Sequence, residues 1–142
     1  MLRGMRRERA SAVCIHEGAL LCVRLRDPLT RVARLFVPGG KIERGESAAA
    51  AAAREVLEET GYAVDVDPAA CVTARYPYTW MGIEIAVTTH FFRARLAGDQ
   101  RAPLPTHDAA YNEGACWLPL DRLDTELSFH RSILEAVRSL VG

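Results

Sequence analysis

The 142-residue chain lacks a surplus of either charge, since its 18 basic and 18 acidic residues cancel. Composition therefore gives no basis for bulk electrostatic attraction to nucleic acid or to an anionic membrane surface. Paired cysteine motifs are missing: Cys14, Cys22, Cys71 and Cys116 form no C-x-x-C pair, which argues against a structural zinc site. Each lies among apolar residues of an expected strand, so the reading is buried, reduced thiols in a cytosolic protein. Long hydrophobic runs are missing too. The basic start, MLRGMRRERA, leads into an apolar stretch that His16, Glu17 and Gly18 interrupt. Neither a signal-peptide core nor a membrane span is expected. The basic segment itself reads as a frayed tail ahead of the first strand. No repeat and no second-domain boundary appears. With 49% apolar residues, the chain can bury a core as one domain over residues 1–142.

What is present is concentrated in one stretch, Gly40 to Tyr62, GKIERGESAAAAAAREVLEETGY. Its alanine-rich middle predicts a helix at little propensity cost. Ser47 or a nearby polar group can cap the start, Glu46 suits the positive end of the helix dipole, and Gly61 suits a left-handed C-terminal turn. At helical spacing Glu55, Glu58 and Glu59 share one arc, while Ala49, Ala53, Val56, Leu57 and Thr60 are expected to face a sheet. Like charges so spaced repel, and Arg54 alone cannot neutralise three carboxylates. A divalent cation can. Mg²⁺ takes oxygen ligands and shares them with substrate phosphates, and it polarises a phosphate chain and acidifies a bound water. A run of acids is more often a solvated helix face, but here the Gly39-Gly40 turn, Glu46 and the Arg54-Glu55 pair accompany it.

The stretch resembles the Nudix box, GX5EX7REUXEEXGU with U aliphatic. Gly40, Glu46, Arg54, Glu55, Glu58, Glu59 and Gly61 stand where that pattern wants them, and Val56 fills the first U. Tyr62 at the last U is the one departure, at a position expected to begin a strand, where tyrosine is well suited. Phe36-Val37-Pro38-Gly39-Gly40 is similar to the family's approach to the box.

Elsewhere, Ser11–Ile15 and Leu20–Leu25 read as a hairpin turning at Glu17-Gly18. Asp27-Pro28 opens a loop through Arg31, and Arg34–Val37 reads as a short strand. After the box, Tyr62–Val66 and Cys71–Arg75 read as strands separated by a turn at Asp67-Pro68, with an interruption at Tyr76–Trp80. The alternation of Ile83, Ile85, Val87 and Phe91 predicts a long strand to about Arg95. Gly98–Gly114 reads as a loop, Ala115–Leu118 as a strand, Pro119–Leu123 as a helical turn and Ser128–Leu140 as an amphipathic helix. Mixed strands with helices on both sides argue for an α/β/α sandwich with a mixed central sheet, the Nudix-type fold that the resemblance implies.

The resemblance also implies Mg²⁺-dependent hydrolysis (Mn²⁺ as a substitute) of a nucleoside diphosphate linked to another group. Glu58 and Glu59, then Glu55, are the expected ligands, with the Gly40 carbonyl. Glu46 serves a second ion or supports the first set. Glu55 or Glu59 is the expected base, and Arg54 the residue that orients Glu55 or Glu46 by a two-pronged pair. Glu113 is the expected late acid, with Glu84 its rival, and either also reads as a surface carboxylate. Arg24, Arg26 and Arg34 are candidates for the phosphate tail. Tyr76, Tyr78, Trp80 and Phe36 are candidates to stack the base, though core packing is the commoner fate of aromatics. A residue 15 to 18 positions after the box marks some subfamilies, proline for ADP-ribose and tyrosine for diadenosine polyphosphates, and Pro77 and Tyr78 stand there side by side. The short segment before the first strand tilts the expectation towards (deoxy)nucleoside triphosphates. The expected partner is a small nucleotide, with neither nucleic acid nor membrane, and a homodimer is allowed. A non-cleaving nucleotide-sensing module would usually lack one of the carboxylates, all of which are present here. An isoprenyl diphosphate isomerase on the same fold would need a reactive cysteine and a different acid set.

Overall fold

The computed structural model describes residues 5–98 and 110–141. Its elements in order are β1 (Met5–His16), β2 (Ala19–Arg26), β3 (Ala33–Phe36), β4 (Gly39–Lys41), α1 (Ala48–Thr60), β5 (Val64–Trp80), β6 (Ile83–Leu96), β7 (Asn112–Pro119), a 3₁₀ turn (Leu120–Arg122), α2 (Leu123–Glu126) and α3 (Arg131–Val141). The sheet runs β3-β2-β1-β6-β5, with β4 also on β1 and β7 also on β2. Its central β1–β6 pair is parallel and the β5–β6 pair antiparallel, so the sheet is mixed as expected. Strand parity divides β1 between two cores. Ala10, Ala12 and Cys14 face α1 together with Phe92 and Ala94 of β6. Val13 faces the other way, with Val87, Phe91 and the Ile133, Leu134, Val137 and Leu140 stripe of α3. Small side chains on both α1 and β1 let that helix approach the sheet closely. A helix thus covers each face, the α/β/α arrangement. No helix among the described residues is long and apolar enough to cross a membrane.

Several local expectations are corrected. The basic segment is not a frayed tail from Met5 onward: β1 pairs in parallel with β6 from Met5↔Ile85 to Cys14↔Ala94. Its partner lies some 80 positions away, so no local pattern announces the ladder. The β1–β2 hairpin exists, but its strands pair only at Ile15↔Leu20 and His16↔Ala19 before diverging. Asp67-Pro68 is not a turn and Tyr76–Trp80 no interruption, because β5 runs unbroken with a register shift between Val66 and Cys71. The bulge accommodates Pro68, the Asp67 carboxylate accepts the Ala69 N–H at 3.0 Å, and an edge strand tolerates Pro77. β7 already begins at Asn112, inside the expected loop, of which residues 99–109 lie outside the described residues. Tyr62 precedes its strand rather than starting it. Its ring meets Trp117 edge-on, and its hydroxyl accepts the Trp117 Nε1–H at 3.2 Å. On α1 the buried positions are Ala51, Ala52, Val56 and Thr60, while Leu57 is exposed. Cys14 and Cys22 are buried, but Cys71 is exposed and Cys116 only half-buried. Burial pushes the Cys14 thiol up to about 11.

Candidate active site

The acid stretch folds by local rules. Ser47 caps α1, its hydroxyl accepting the Ala50 N–H at 3.1 Å, and Gly61 closes it in the left-handed region at φ 80°, donating its N–H to the Leu57 carbonyl. Arg54 then divides the carboxylates. Its Nε and Nη2 fork onto the two oxygens of Glu46 at 2.7 and 2.9 Å. Nη1 reaches Glu55 at 2.9 Å and Glu58 at 3.4 Å, and Nη2 also donates to the Lys41 carbonyl. The Glu46 side chain is only 17% exposed, and the fork has the bidentate geometry that makes such pairs strong. Hydrogen bonds from Arg54, and then from the Glu43 N–H, hold the Glu46 carboxyl down at about 2. The Arg54 guanidinium is raised further in turn by Glu46. Glu55 goes the other way: burial pushes its carboxyl above the ordinary range despite its bond to Arg54.

Glu59 points to the glycine turn, where Oε1 accepts the Gly39 N–H at 2.8 Å. The Gly39 carbonyl accepts from Arg9 Nη2 at 2.9 Å. Space demands glycine at position 39, where backbone stands in the way, whereas at position 40 a side chain would displace the Glu55 carboxyl. A Cβ on Gly39 would lie 2.1 Å from Ser11 Oγ and 2.4 Å from the Ala10 carbonyl oxygen, and one on Gly40 would lie 2.4–2.7 Å from the Glu55 carboxyl atoms. Glu55 therefore lies directly against the Gly40 backbone.

These groups form one wall of a cavity of about 360 Å³. Glu55, Glu59, Gly39, Gly40 and Lys41 stand on the acid side, Arg7 and Arg9 on the adjoining β1, and Phe36, Tyr76, Tyr78, Trp80 and Tyr111 supply the aromatic side. Phe36 and Tyr78 meet edge-on with centroids 5.9 Å apart. Parity on β5 turns Tyr76, Tyr78 and Trp80 inward and leaves Pro77 exposed.

All four expected aromatics thus reach the cavity. The expected cations do not. Arg26 binds Glu113 at 2.6 Å, Arg34 lies over the Phe129 ring, and neither they nor Arg24 line the cavity, which takes Arg7 and Arg9 instead. Their i, i+2 spacing in Arg6-Arg7-Glu8-Arg9 was the available signal, readable only once that segment is known to be a strand. Glu113 is exposed and held by Arg26, which keeps its carboxyl below the ordinary range. Its neighbour Asn112 donates to the Glu59 carbonyl at 3.4 Å. Glu84 is exposed beside the β5–β6 turn and does not line the cavity.

Among the described residues no three acidic side chains are arranged to share one metal ion; Arg54 holds Glu46, Glu55 and Glu58, and the Gly39 N–H holds Glu59. The donor chemistry nonetheless fits a hard cation: carboxylate oxygens of Glu55, Glu58 and Glu59 within one helical turn, and backbone oxygen from Gly40.

A family model described as the NUDIX domain matches residues 5–137. Among solved structures, a NUDIX hydrolase from Nitrosomonas europaea is 25% identical, with 94% of this chain and 87% of that one covered and a TM-score of 0.69. A MutT protein from Methanosarcina mazei Go1 is 17% identical, with 99% and 96% covered and a TM-score of 0.67. A C. elegans Ap4A hydrolase in a binary complex is 18% identical, with 93% of each chain covered and a TM-score of 0.67. No curated protein sequence matches this chain.

Proposed function

This chain belongs to the Nudix family and is a hydrolase, and from that premise we propose that it is a Mg²⁺-dependent pyrophosphohydrolase. Its substrate is a nucleoside diphosphate linked to another group, with (deoxy)nucleoside triphosphates preferred. It works as one domain, in the cytoplasm, on a small nucleotide rather than on nucleic acid or a membrane. The observation that carries this reading is the acid wall itself, in which Arg54 gathers Glu46, Glu55 and Glu58 while Glu59 sits on the Gly39 N–H beside an aromatic-lined cavity.

Glu58, Glu59 and Glu55, with the Gly40 carbonyl, are the residues that would hold the cation. When bound, the cation neutralises phosphate charge and acidifies water. The chain's own residues do the rest. Arg54 fixes the Glu46 carboxylate and leans on Glu55, a positioning role in which it touches no substrate. Glu55, half-buried and with a raised proton affinity, is suited to accept the proton of an attacking water; Glu59 is the other candidate, and Glu113 a more distant one. Arg7, Arg9 and Lys41 offer positive charge to the phosphates, which favours a highly charged triphosphate tail. Phe36 and Tyr78 offer a shelf for the base. Water adds to one phosphorus, the anhydride bridge breaks, and the bridging oxygen leaves on the other phosphate.

A second reading, diadenosine polyphosphate hydrolysis, is favoured by one detail: of the two marker residues it is Tyr78, and not Pro77, that faces the cavity. Both readings are tested by a panel of triphosphates, oxidised triphosphates, ADP-ribose, diadenosine polyphosphates and NADH with Mg²⁺, the products being identified directly. Cleavage of a phosphoanhydride in triphosphates ahead of the others is expected. No cleavage of any of them would leave a sensing module as the better description.

A further inference from the structure

Outside the acid wall, one carboxylate has an unusual setting. Asp27, at the end of β2, is only 8% exposed. Its Oδ1 accepts the N–H groups of Leu29 at 2.8 Å and Thr30 at 3.3 Å. Its backbone closes the same loop, donating to the Val32 carbonyl and accepting from the Arg31 N–H. Its Oδ2 is used differently: it accepts the N–H of Met81 at 3.1 Å, 54 residues away in the β5–β6 turn. Burial pushes the Asp27 carboxyl up, but the N–H donors of Met81, Leu29 and Thr30 outweigh it and hold the group below its ordinary range. It is therefore ionised, and both oxygens accept.

The turn it grips is not determined by its own sequence. Met81 and Gly82 have φ of 53° and 76°, a two-residue hairpin geometry that asparagine or glycine adopts readily and methionine does not. A Cβ on Gly82 would come within 3.0 Å of Leu29, so the turn and the Asp27 loop are in contact. Immediately before the turn stands Trp80, paired across it with Ile83. Trp80 lines the cavity and meets Tyr111 edge-on at 5.6 Å. It lies one same-face step beyond Tyr78, about 6.5–7 Å along the strand, a separation that lets the two side chains flank a single flat ring.

We propose that Asp27 is a positioning residue for substrate specificity, fixing the turn at Met81 through Oδ2 and thereby the place of Trp80 in the base-binding end of the cavity. This rests on the nucleotide reading above and names the residue that sets its base grip. Asp27 touches no substrate itself and acts through the hairpin turn.

The two oxygens have separate duties, which makes the assignment testable. Asp27→Asn keeps an acceptor for Leu29 and Thr30 but puts an amide NH₂ opposite the Met81 N–H, so it cuts the tie and spares the loop. The assay uses the whole 142-residue chain with Trp117→Phe, which leaves Trp80 as its sole tryptophan; Trp117 packs on Tyr62, outside the cavity lining. In this background Asp27→Asn is expected to raise KM for the best nucleotide of the panel about tenfold while kcat stays within about threefold, the size of a lost base–aromatic stack. Trp80 emission is expected to shift to the red and lose its response to nucleotide. Asp27→Ala should show the same KM change with a lower melting temperature. An Asn variant with parental KM and parental Trp80 emission overturns the assignment alone. A parent protein that neither cleaves nor binds any nucleotide overturns the nucleotide reading, and this assignment with it.

Discussion

The cavity has two walls built in opposite ways. The acid wall comes from one continuous stretch, residues 39–62, and its groups hold one another through Arg54 and the Gly39 N–H. The aromatic wall brings together Phe36, Tyr76, Tyr78, Trp80 and Tyr111 from separate strands and a loop, and it leans on long-range ties such as Asp27 to Met81. The acid wall is thus a local object, defined by helical spacing and a short loop. The aromatic wall exists only in the folded sheet. On the function proposed above, the chemistry falls to the local part and recognition of the nucleotide to the assembled part.

Substitutions can probe this division, starting with the largest effect. Glu59→Gln or Glu58→Gln should lower kcat at least about a hundredfold, about 2.7 kcal/mol in the barrier, while the far-UV circular dichroism stays parental because neither side chain is buried in a core. Near-normal turnover in purified Glu59→Gln would remove that residue from the proposed cation site. Gly39→Ala breaks the same wall through packing, since the new Cβ collides with Ser11 and the Ala10 carbonyl. A loss of about 1–3 kcal/mol in urea unfolding is expected. On the other wall, Tyr78→Ala should raise KM about tenfold with little change in kcat. A fall in kcat as large as that of the acid variants would show that the walls do not divide the work. Millimolar Mg²⁺ should raise the melting temperature by a few degrees, since only the native state gathers the carboxylates. The increment should vanish in Glu58→Gln/Glu59→Gln.

The smallest effect is read against pH. Glu46 is held at about 2 in the folded protein, below its ordinary value, so its contribution to stability is complete above the usual carboxylate range. That contribution fades as pH falls from about 4.5 towards about 2. Glu46→Gln should be less stable than the parent at pH 7, with the gap in denaturant midpoint closing across that window. A gap that stays constant would mean that the Arg54–Glu46 fork is not the source.

The alternation and helix periods already predicted most elements, and the acids, the Ser47 cap and the Gly61 stop fell where local rules put them. The misses share a cause. β1 below Ser11 is a strand because β6 runs beside it, and β5 passes through Asp67-Pro68 because a bulge on an edge strand absorbs them. Neither partner is near in sequence. The same is true of Arg7 and Arg9, whose basic segment resembles a solvated tail until the ladder orients alternate side chains into the cavity. The sequence offers Arg24, Arg26 and Arg34 as candidates for the phosphate tail, and the fold leaves them exposed or paired elsewhere.

By itself the sequence determined the acid helix, its caps and the glycine turn, because those depend on interactions within a few residues. Only the tertiary structure decided which cations and which aromatic rings face the acids, and that Asp27 grips a turn 54 residues away. Strand register places those groups, and register depends on partners distant in the chain.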